Sequence, residues 1–448
     1  MRPLPLVSPI ALALAALLVG ACRTAESVLV SVASPDADQI HRDIAYLADD
    51  RLEGRGTGTA GNDSAAAYLA RRLSALGLRP LLVDTARGDC RGAEVPTSCR
   101  VFLQRFTAYS AEMAHAGRAG GVPTQNVIAL IPGRDPALRS QFVVIGAHYD
   151  HLGRSTAGAM DPEARDAIRN GADDNASGTA AVLELARMFS ERPARRSILV
   201  AHFSGEELGL LGSQWLVEHA PAPVTLDSVT AMVNFDMVGR LRNDKLIVYG
   251  VATAHELRAI VDSANVAPRL SISAQGDGFG PSDHSSFYAK GIPVLHFFTD
   301  LHDDYHRATD DVEKINTTGE ARVVALAERV VRAIADRPAR LTAVRVAAPT
   351  PAIGGRESSG AYLGSIPDMS AADVPGLRLS GVRAGSPADL GGLRAGDVIV
   401  AFGGRKVKDL YSYTDALYAN KPGDRVEVVF LRNGSRQTTS VTLGRRGQ

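Results

Sequence analysis

Six short apolar runs organise the middle of the chain: Val127–Ile131, Phe142–Ala147, Ser197–His202, Ala231–Phe235, Leu246–Tyr249 and Val294–Phe298. Apolar runs this short, without polar alternation, suit strands buried on both faces. Helical patterns interrupt them. Ala176–Phe189 places Val182, Leu185, Ala186 and Phe189 on one face, and Gly319–Asp336 follows the last run. His41–Leu47 and Ala65–Leu76 read as amphipathic helices ahead of the first. Strands alternating with helices predict an α/β fold, with a mixed, largely parallel central sheet sandwiched by helices. The connection Leu52–Gly61 is rich in glycine, but no strand precedes it and no Lys-Ser/Thr pair ends it. It therefore does not read as a phosphate-binding loop.

Titratable residues stand where these runs end. His148 follows Phe142–Ala147, and Glu206 and Glu207 follow Ser197–His202. Asp236 follows Ala231–Phe235, and His306 comes shortly after Val294–Phe298. Asp174 lies within Gly171–Gly178, just ahead of the Ala176–Phe189 helix. Singly, each has an ordinary explanation: an Asp-Asp-Asn run caps helices, and a Glu pair sits on solvated faces. Together they fall at the carboxyl ends of successive strands, where open α/β sheets gather their loops into one crevice. Two imidazoles among carboxylates suit zinc better than calcium or magnesium.

The segments Gly146–His151, Gly171–Gly178, Ser204–Ser213, Asn234–Met237 and Tyr305–His306 resemble, in order, the motifs of the M28 family of co-catalytic zinc aminopeptidases. The likeness spans residues 38–337. It implies two Zn2+ ions bridged by Asp174, with His148 and Asp236 completing one site and Glu207 and His306 the other. It also implies Glu206 as general base and Asp150 as the carboxylate that orients the His148 imidazole, since a ligating histidine needs its other nitrogen held. The family's bridging aspartate stands three residues before the Ser of a Ser-Gly pair. Counting back from Ser177 selects Asp174 over Asp173. The substrates implied are peptides with a free N-terminus. A carboxypeptidase and a glutaminyl cyclase are same-fold alternatives. Cyclases use one zinc, and the full ligand set here counts against them. Six further histidines lie near the motifs: His151, His202, His219, His284, His296 and His302. Of these, His284 reads either as part of the pocket wall or as part of a capped turn before a Ser285–Lys290 helix.

At the N-terminus, Ile10–Val19 is apolar but too short for a bilayer, which takes roughly 20 apolar residues. It suits a signal peptide over residues 1–21. Val19-Gly20-Ala21-Cys22 resembles a lipobox, which makes Cys22 a lipidation site at the head of a tether (22–37). The expected destination is the periplasm, with a lipid anchor in the outer membrane and no other membrane contact. In that oxidising setting Cys90 and Cys99, nine positions apart in a Gly/Pro-punctuated loop, are expected to form a disulfide.

Composition shifts after the expected peptidase unit (38–340). A Pro/Gly-rich linker (341–356) leads to a β-rich unit over 357–448. Ser386–Gly404 carries a Gly-Leu-x-x-Gly-Asp-x-Ile core, Gly392 to Ile399, that resembles a bacterial PDZ domain. The resemblance implies a carboxylate-binding loop, Tyr362, Leu363, Gly364 and Ser365, flanked by a Tyr411–Tyr418 helix. The partner would be a C-terminal peptide added to a sheet edge. A catalytically idle peptide-binding lipoprotein is the alternative from another functional class, and the intact Glu206 and ligands count against it. The 49 basic and 49 acidic residues balance, and aromatic content is 5%, so nothing suggests a nucleic-acid partner.

Overall fold

The structure is a computed structural model. It describes residues 34–84, 90, 97–109, 121–344 and 361–445, apart from 157, 162, 267–268, 277, 279, 368–375, 383–384 and 409. The expected signal peptide, Cys22 and most of the linker lie outside the described residues.

Along the strand Phe142–His148, Val143, Ile145 and Ala147 enter one core, while Phe142 and Val144 enter another. Successive side chains of a strand point to opposite faces, so an unbroken apolar run demands cover on both. Among the described residues nine strands share this sheet. They are β1 (Arg79–Pro80), β2 (Leu103–Ala108), β3 (Val122–Ile131), β4 (Phe142–His148), β5 (Ser197–Phe203), β6 (Val229–Phe235), β7 (Lys245–Tyr249), β8 (Ser271–Ala274) and β9 (Val294–Phe298). Their order is β1-β3-β5-β4-β6-β9-β7-β8, with β2 beside β3. The centre, β5-β4-β6-β9, is parallel. Antiparallel pairings flank it, β3 to β5 on one side and β9 to β7 on the other.

The larger core is covered by α1 (Ala37–Leu47), α2 (Ala60–Ala75), α3 (Gly178–Glu191), α5 (Leu257–Ala264) and α7 (Thr317–Asp336). The smaller is covered by α4 (Leu211–Glu218) and α6 (His284–Ala289), through Leu216, Val217, Phe287 and Tyr288. Each fully buried Leu, Ile, Val or Phe contributes about 1.5–3 kcal/mol over leaving it exposed. The sandwich expected from the sequence is present.

The glycine-rich connection packs backbone against backbone. A Cβ on Gly61 would lie 1.8 Å from the Leu52 carbonyl, and one on Gly54, whose φ is +66°, would lie 2.1 Å from the Arg169 carbonyl. This close approach carries Arg55 and Thr57 beneath the carboxyl end of β4. The sulfur atoms of Cys90 and Cys99 are bonded, as expected, and both cysteines are buried.

The boundaries move slightly from those expected. Asp36 already bonds to Glu184, and Val344 still donates to the Thr253 carbonyl, so the peptidase unit runs past 340. The C-terminal unit has its own core, with Leu363, Leu379, Ile399, Phe402, Val428 and Phe430 among its members. Its sheet begins at an edge strand, β11 (Ser365–Pro367), which follows the short β10 (Ala361–Tyr362) and pairs with β12 (Leu377–Val382). Asp397 accepts from Arg394 N and pairs with Arg432 at 2.7 Å, which explains the Gly-Asp in the core motif.

Candidate metal centre

The parallel centre of the sheet brings the chemistry to one end. β4 ends on His148, Asp236 follows β6, and Glu206 and Glu207 lie in the loop after β5. His306 sits in the loop after β9, and Asp174 in the irregular turn Ala172–Ser177 that leads into α3. That turn, rather than a regular helix start, places Asp174. The capping bond at this end comes from Asn175, whose Oδ1 accepts from Gly178 N at 2.9 Å.

Two groups of donors share one carboxylate. His148 Nε2 lies 3.4 Å from Asp174 Oδ1 and 3.5 Å from Asp236 Oδ1, with Glu206 Oε2 farther off at 3.9 Å. His306 Nε2 lies 3.0 Å from the other Asp174 oxygen, Oδ2, and 3.4 Å from Glu207 Oε2. Separations of this order are what atoms around a single small cation show. His148 with Glu206 and Asp236, and His151 with Asp174 and Glu207, each bring donor atoms close enough together to hold one.

Three of the donors, His148, His306 and Asp236, are held from behind. His148 Nδ1 faces the main-chain carbonyl of Asp150 at 3.1 Å, whereas the Asp150 carboxylate stands off at 3.8 Å. The orienting group is thus the carbonyl, which corrects the expectation for the Asp150 carboxylate. That carboxylate instead accepts from Thr57 Oγ1 at 2.7 Å and from Glu206 N at 3.2 Å, so it fixes the Glu206 loop. His306 Nδ1 faces the Gly158 carbonyl at 3.0 Å. Ser282 Oγ donates to Asp236 Oδ2 at 2.7 Å, which leaves Oδ1 turned to His148.

Asp173 has a different place from Asp174. Its Oδ1 accepts from Gly239 N at 2.7 Å and Ser177 Oγ at 3.0 Å, and its Oδ2 lies 3.1 Å from His302 Nε2. Beside it Asp310 Oδ2 accepts from the amides of Asp173 and Asp174, while Arg240 donates to Asp310 Oδ1 at 2.9 Å. The sequence placed His302 near the motifs without a role and gave none to Asp310 or Arg240, because long-range hydrogen bonds leave no local pattern. His284 is buried and stacked on His296 at 4.5 Å, so Ser282 is the member of that segment that touches Asp236. His219 stacks on Trp215.

The group crowds buried carboxylates together. Burial pushes the Glu206 carboxyl well up, and Glu207, Asp283 and Asp236 add to the rise against the pull of His148. Burial works the same way on Glu207, with Asp174 adding to it, but His306 and the adjacent His151 outweigh both and bring that group down to about 2. Burial disfavours a charged His148, yet Glu206 and Asp236 hold its pKa well up. Arg55, fully buried, donates to the carbonyls of Tyr149, Leu47, Asn170 and Gly171 and neutralises none of these carboxylates directly. Buried carboxylates facing imidazoles, without a paired Lys or Arg, form a cation-binding arrangement.

Residues 126–331 match the profile of Peptidase family M28, and residues 361–443 match that of the PDZ domain. The chain carries an M28 peptidase domain and a C-terminal PDZ domain. The chain is 30% identical over 242 residues to leupeptin-inactivating enzyme 1 of Streptomyces exfoliatus, covering 53% of this chain and 47% of that protein. It is 29% identical over 205 residues to aminopeptidase YwaD of Bacillus subtilis, covering 43% and 41%. The aligned stretch thus spans less than half the length of these curated relatives. The fold is that of a leucine aminopeptidase precursor from Bacteroides thetaiotaomicron, with a TM-score of 0.53 at 17% identity over 68% of this chain and 99% of that one. A glutaminyl cyclase from the same organism gives a TM-score of 0.52 at 17% identity, over 67% and 99%.

In the PDZ domain, Gly364 has φ +83°, and a Cβ there would lie 2.2 Å from Ser386 Cβ. This fixes glycine in the Tyr362–Ser365 loop. Ser365 Oγ lies 2.7 Å from Tyr413 OH on α9 (Leu410–Tyr418), the second helix of this domain after α8 (Pro387–Leu390). Pro367 suits the edge position of β11, since a proline has no N–H to offer a ladder.

Proposed function

We propose that this chain is an exported zinc aminopeptidase that removes N-terminal residues from peptides. His148, Asp174 and Asp236 would hold one zinc ion, and Asp174, Glu207 and His306 a second. The observation that carries the reading is the two-faced Asp174 carboxylate, with Oδ1 3.4 Å from His148 and Oδ2 3.0 Å from His306. The donor chemistry fits zinc, and Glu207 Oε1 is buried without a hydrogen-bond partner, as a ligand awaiting a cation would be. Zinc bound there would supply Lewis acidity, polarising the scissile carbonyl and lowering the pKa of water toward about 7. Glu206 stands farther from His148 than Asp174 and Asp236 do, and so is free to move a proton. It takes one from the attacking water and delivers it to the leaving amine, worth about 10²–10⁴-fold.

An aminopeptidase rather than a carboxypeptidase is supported by the relatives, among which aminopeptidase YwaD is 29% identical over 205 residues. A carboxylate shared by two histidine groups counts against a one-zinc cyclase. The Cys90–Cys99 disulfide supports an oxidising compartment, in keeping with lipidation at Cys22 and a periplasmic, outer-membrane-anchored enzyme. The PDZ domain would bind a C-terminal peptide between β11 and α9. The test is zinc content beside hydrolysis of aminoacyl-p-nitroanilides and cyclisation of an N-terminal glutaminyl peptide. Two zinc ions per chain with anilide hydrolysis is the expected result. One zinc with cyclisation alone would overturn it.

A further inference from the structure

His151 is absent from the ligand set above, yet it is seated inside it. Its side chain is fully buried, and among the described residues neither ring nitrogen has a hydrogen-bond partner. Nδ1 lies 2.8 Å from Glu207 Oε1, itself buried and unpartnered, and 3.9 Å from Asp174 Oδ2. Leaving two such atoms unsatisfied costs about 1–3 kcal/mol each. The short separation is an imidazole–carboxylate contact, in which the oxygen lies off the direction of a well-aligned ring N–H hydrogen bond. Two atoms bound to one ion at about 2.1 Å need no such alignment with each other.

The backbone is shaped to keep the ring there. Gly171, just before the Asp174 turn, has φ +56°, and a Cβ on it would fall 2.4 Å from His151 Cδ2. The ring occupies the space a side chain at 171 would fill. It also meets the His306 ring edge-on at 5.5 Å between centroids.

We propose that His151 is a further ligand of the second metal site, through Nδ1, so that this site holds two imidazoles with Glu207 and the shared Asp174. The inference rests on the two-zinc reading above. Its consequence is an asymmetric pair: the site of His148 and Asp236 has one imidazole, and the site of His306 has two. The second site then binds zinc more tightly and keeps it longer under a chelator.

The test uses the full-length protein, wild type beside His151→Phe, which fills the same space, and His151→Ala. Folding is checked by circular dichroism and thermal melting, and zinc is counted by elemental analysis after dialysis against graded chelator. The visible spectrum of the cobalt-substituted protein reports the donor set. Wild type should lose its two zinc ions in two steps. Both variants should keep the fold and one zinc, while affinity at the other site falls at least 10-fold and the cobalt bands shift. Two zinc ions bound to His151→Phe with unchanged affinity would overturn the proposal. So would weakened affinity with an unshifted cobalt spectrum, since a neighbour acting only through Glu207 leaves the donors as they were. Wild type binding no second zinc would instead overturn the two-zinc reading itself.

Discussion

Asp173 Oδ2 lies 3.1 Å from His302 Nε2, and this contact joins the turn that carries Asp174 to the loop that carries His306. The other oxygen of Asp173 holds Gly239 N at 2.7 Å, in the segment that follows Asp236. One buried carboxylate therefore ties together three of the loops that bring donors to the metal centre.

Asp173→Asn should loosen that tie without removing a ligand. An amide keeps one acceptor and turns the other position into a donor, facing either Gly239 N–H or His302. Groups that orient metal ligands typically cost 10–100-fold in metal affinity when changed. The expected result is a folded protein with zinc affinity lower by that factor, read by chelator competition. Unchanged affinity would show that the loops hold their places without Asp173.

The two units should separate cleanly, but only if the cut respects the last contacts of the first. A chain ending at Pro349 keeps Leu341, the Val344–Thr253 hydrogen bond and all donors from His148 to His306, and should retain zinc and small-substrate activity. A chain ending at Ala339 loses the Arg340 bonds to the carbonyls of Asp227 and Val229, and the Thr342 bonds to Glu256. It also lacks Leu341, a buried side chain that contributes about 1.5–3 kcal/mol. The shorter form should melt several degrees lower. Equal melting temperatures would refute this boundary.

Acid should act on the fold through His202. Burial on β5 drives its imidazole down to about 3, against about 6.5 when unfolded. The folded pKa is the lower one, so the stabilisation is fully present above pH 6.5 and is lost as pH falls toward 3. In that window the unfolded chain binds one more proton at this residue, which makes stability fall by about 1.4 kcal/mol per pH unit. Urea unfolding of the metal-free protein between pH 6 and 4 should show that slope reduced by about this amount in His202→Leu. An identical slope in both proteins would mean that His202 titrates alike folded and unfolded.

The central strands were legible because β4, β5, β6 and β9 are buried on both faces and leave apolar runs. β2 and β8 were not, since Gln104, Arg105 and Thr107 in β2 and Ser271 and Ser273 in β8 break the pattern. The short α4 and α5 also went unread, because few turns give little periodicity. Residues at strand ends announced the site by position alone. What the sequence could not express was which atom of a residue would do a task. His148 turns to the carbonyl of Asp150 and not to its carboxylate. Nor could it show that Gly171 opens the space into which the His151 ring fits.

The division of labour between Glu206 and Glu207 is the sharpest claim, because adjacent residues of one type are asked to do unlike things. Glu207 Oε2 faces His306 at 3.4 Å across the second donor group, whereas Glu206 lies 3.9 Å from His148, behind two nearer carboxylates. A metal-bound carboxylate cannot freely shuttle a proton, and a free one can. Glu206→Gln should therefore keep full zinc and lose about 10² or more in kcat, the scale of general-base catalysis, with KM little changed. Glu207→Gln should lose zinc from one site, and Asp174→Ala from both, since its two oxygens face both histidines. Elemental analysis beside steady-state kinetics decides the matter. Zinc lost from Glu206→Gln and retained by Glu207→Gln would mean that base and ligand are interchanged.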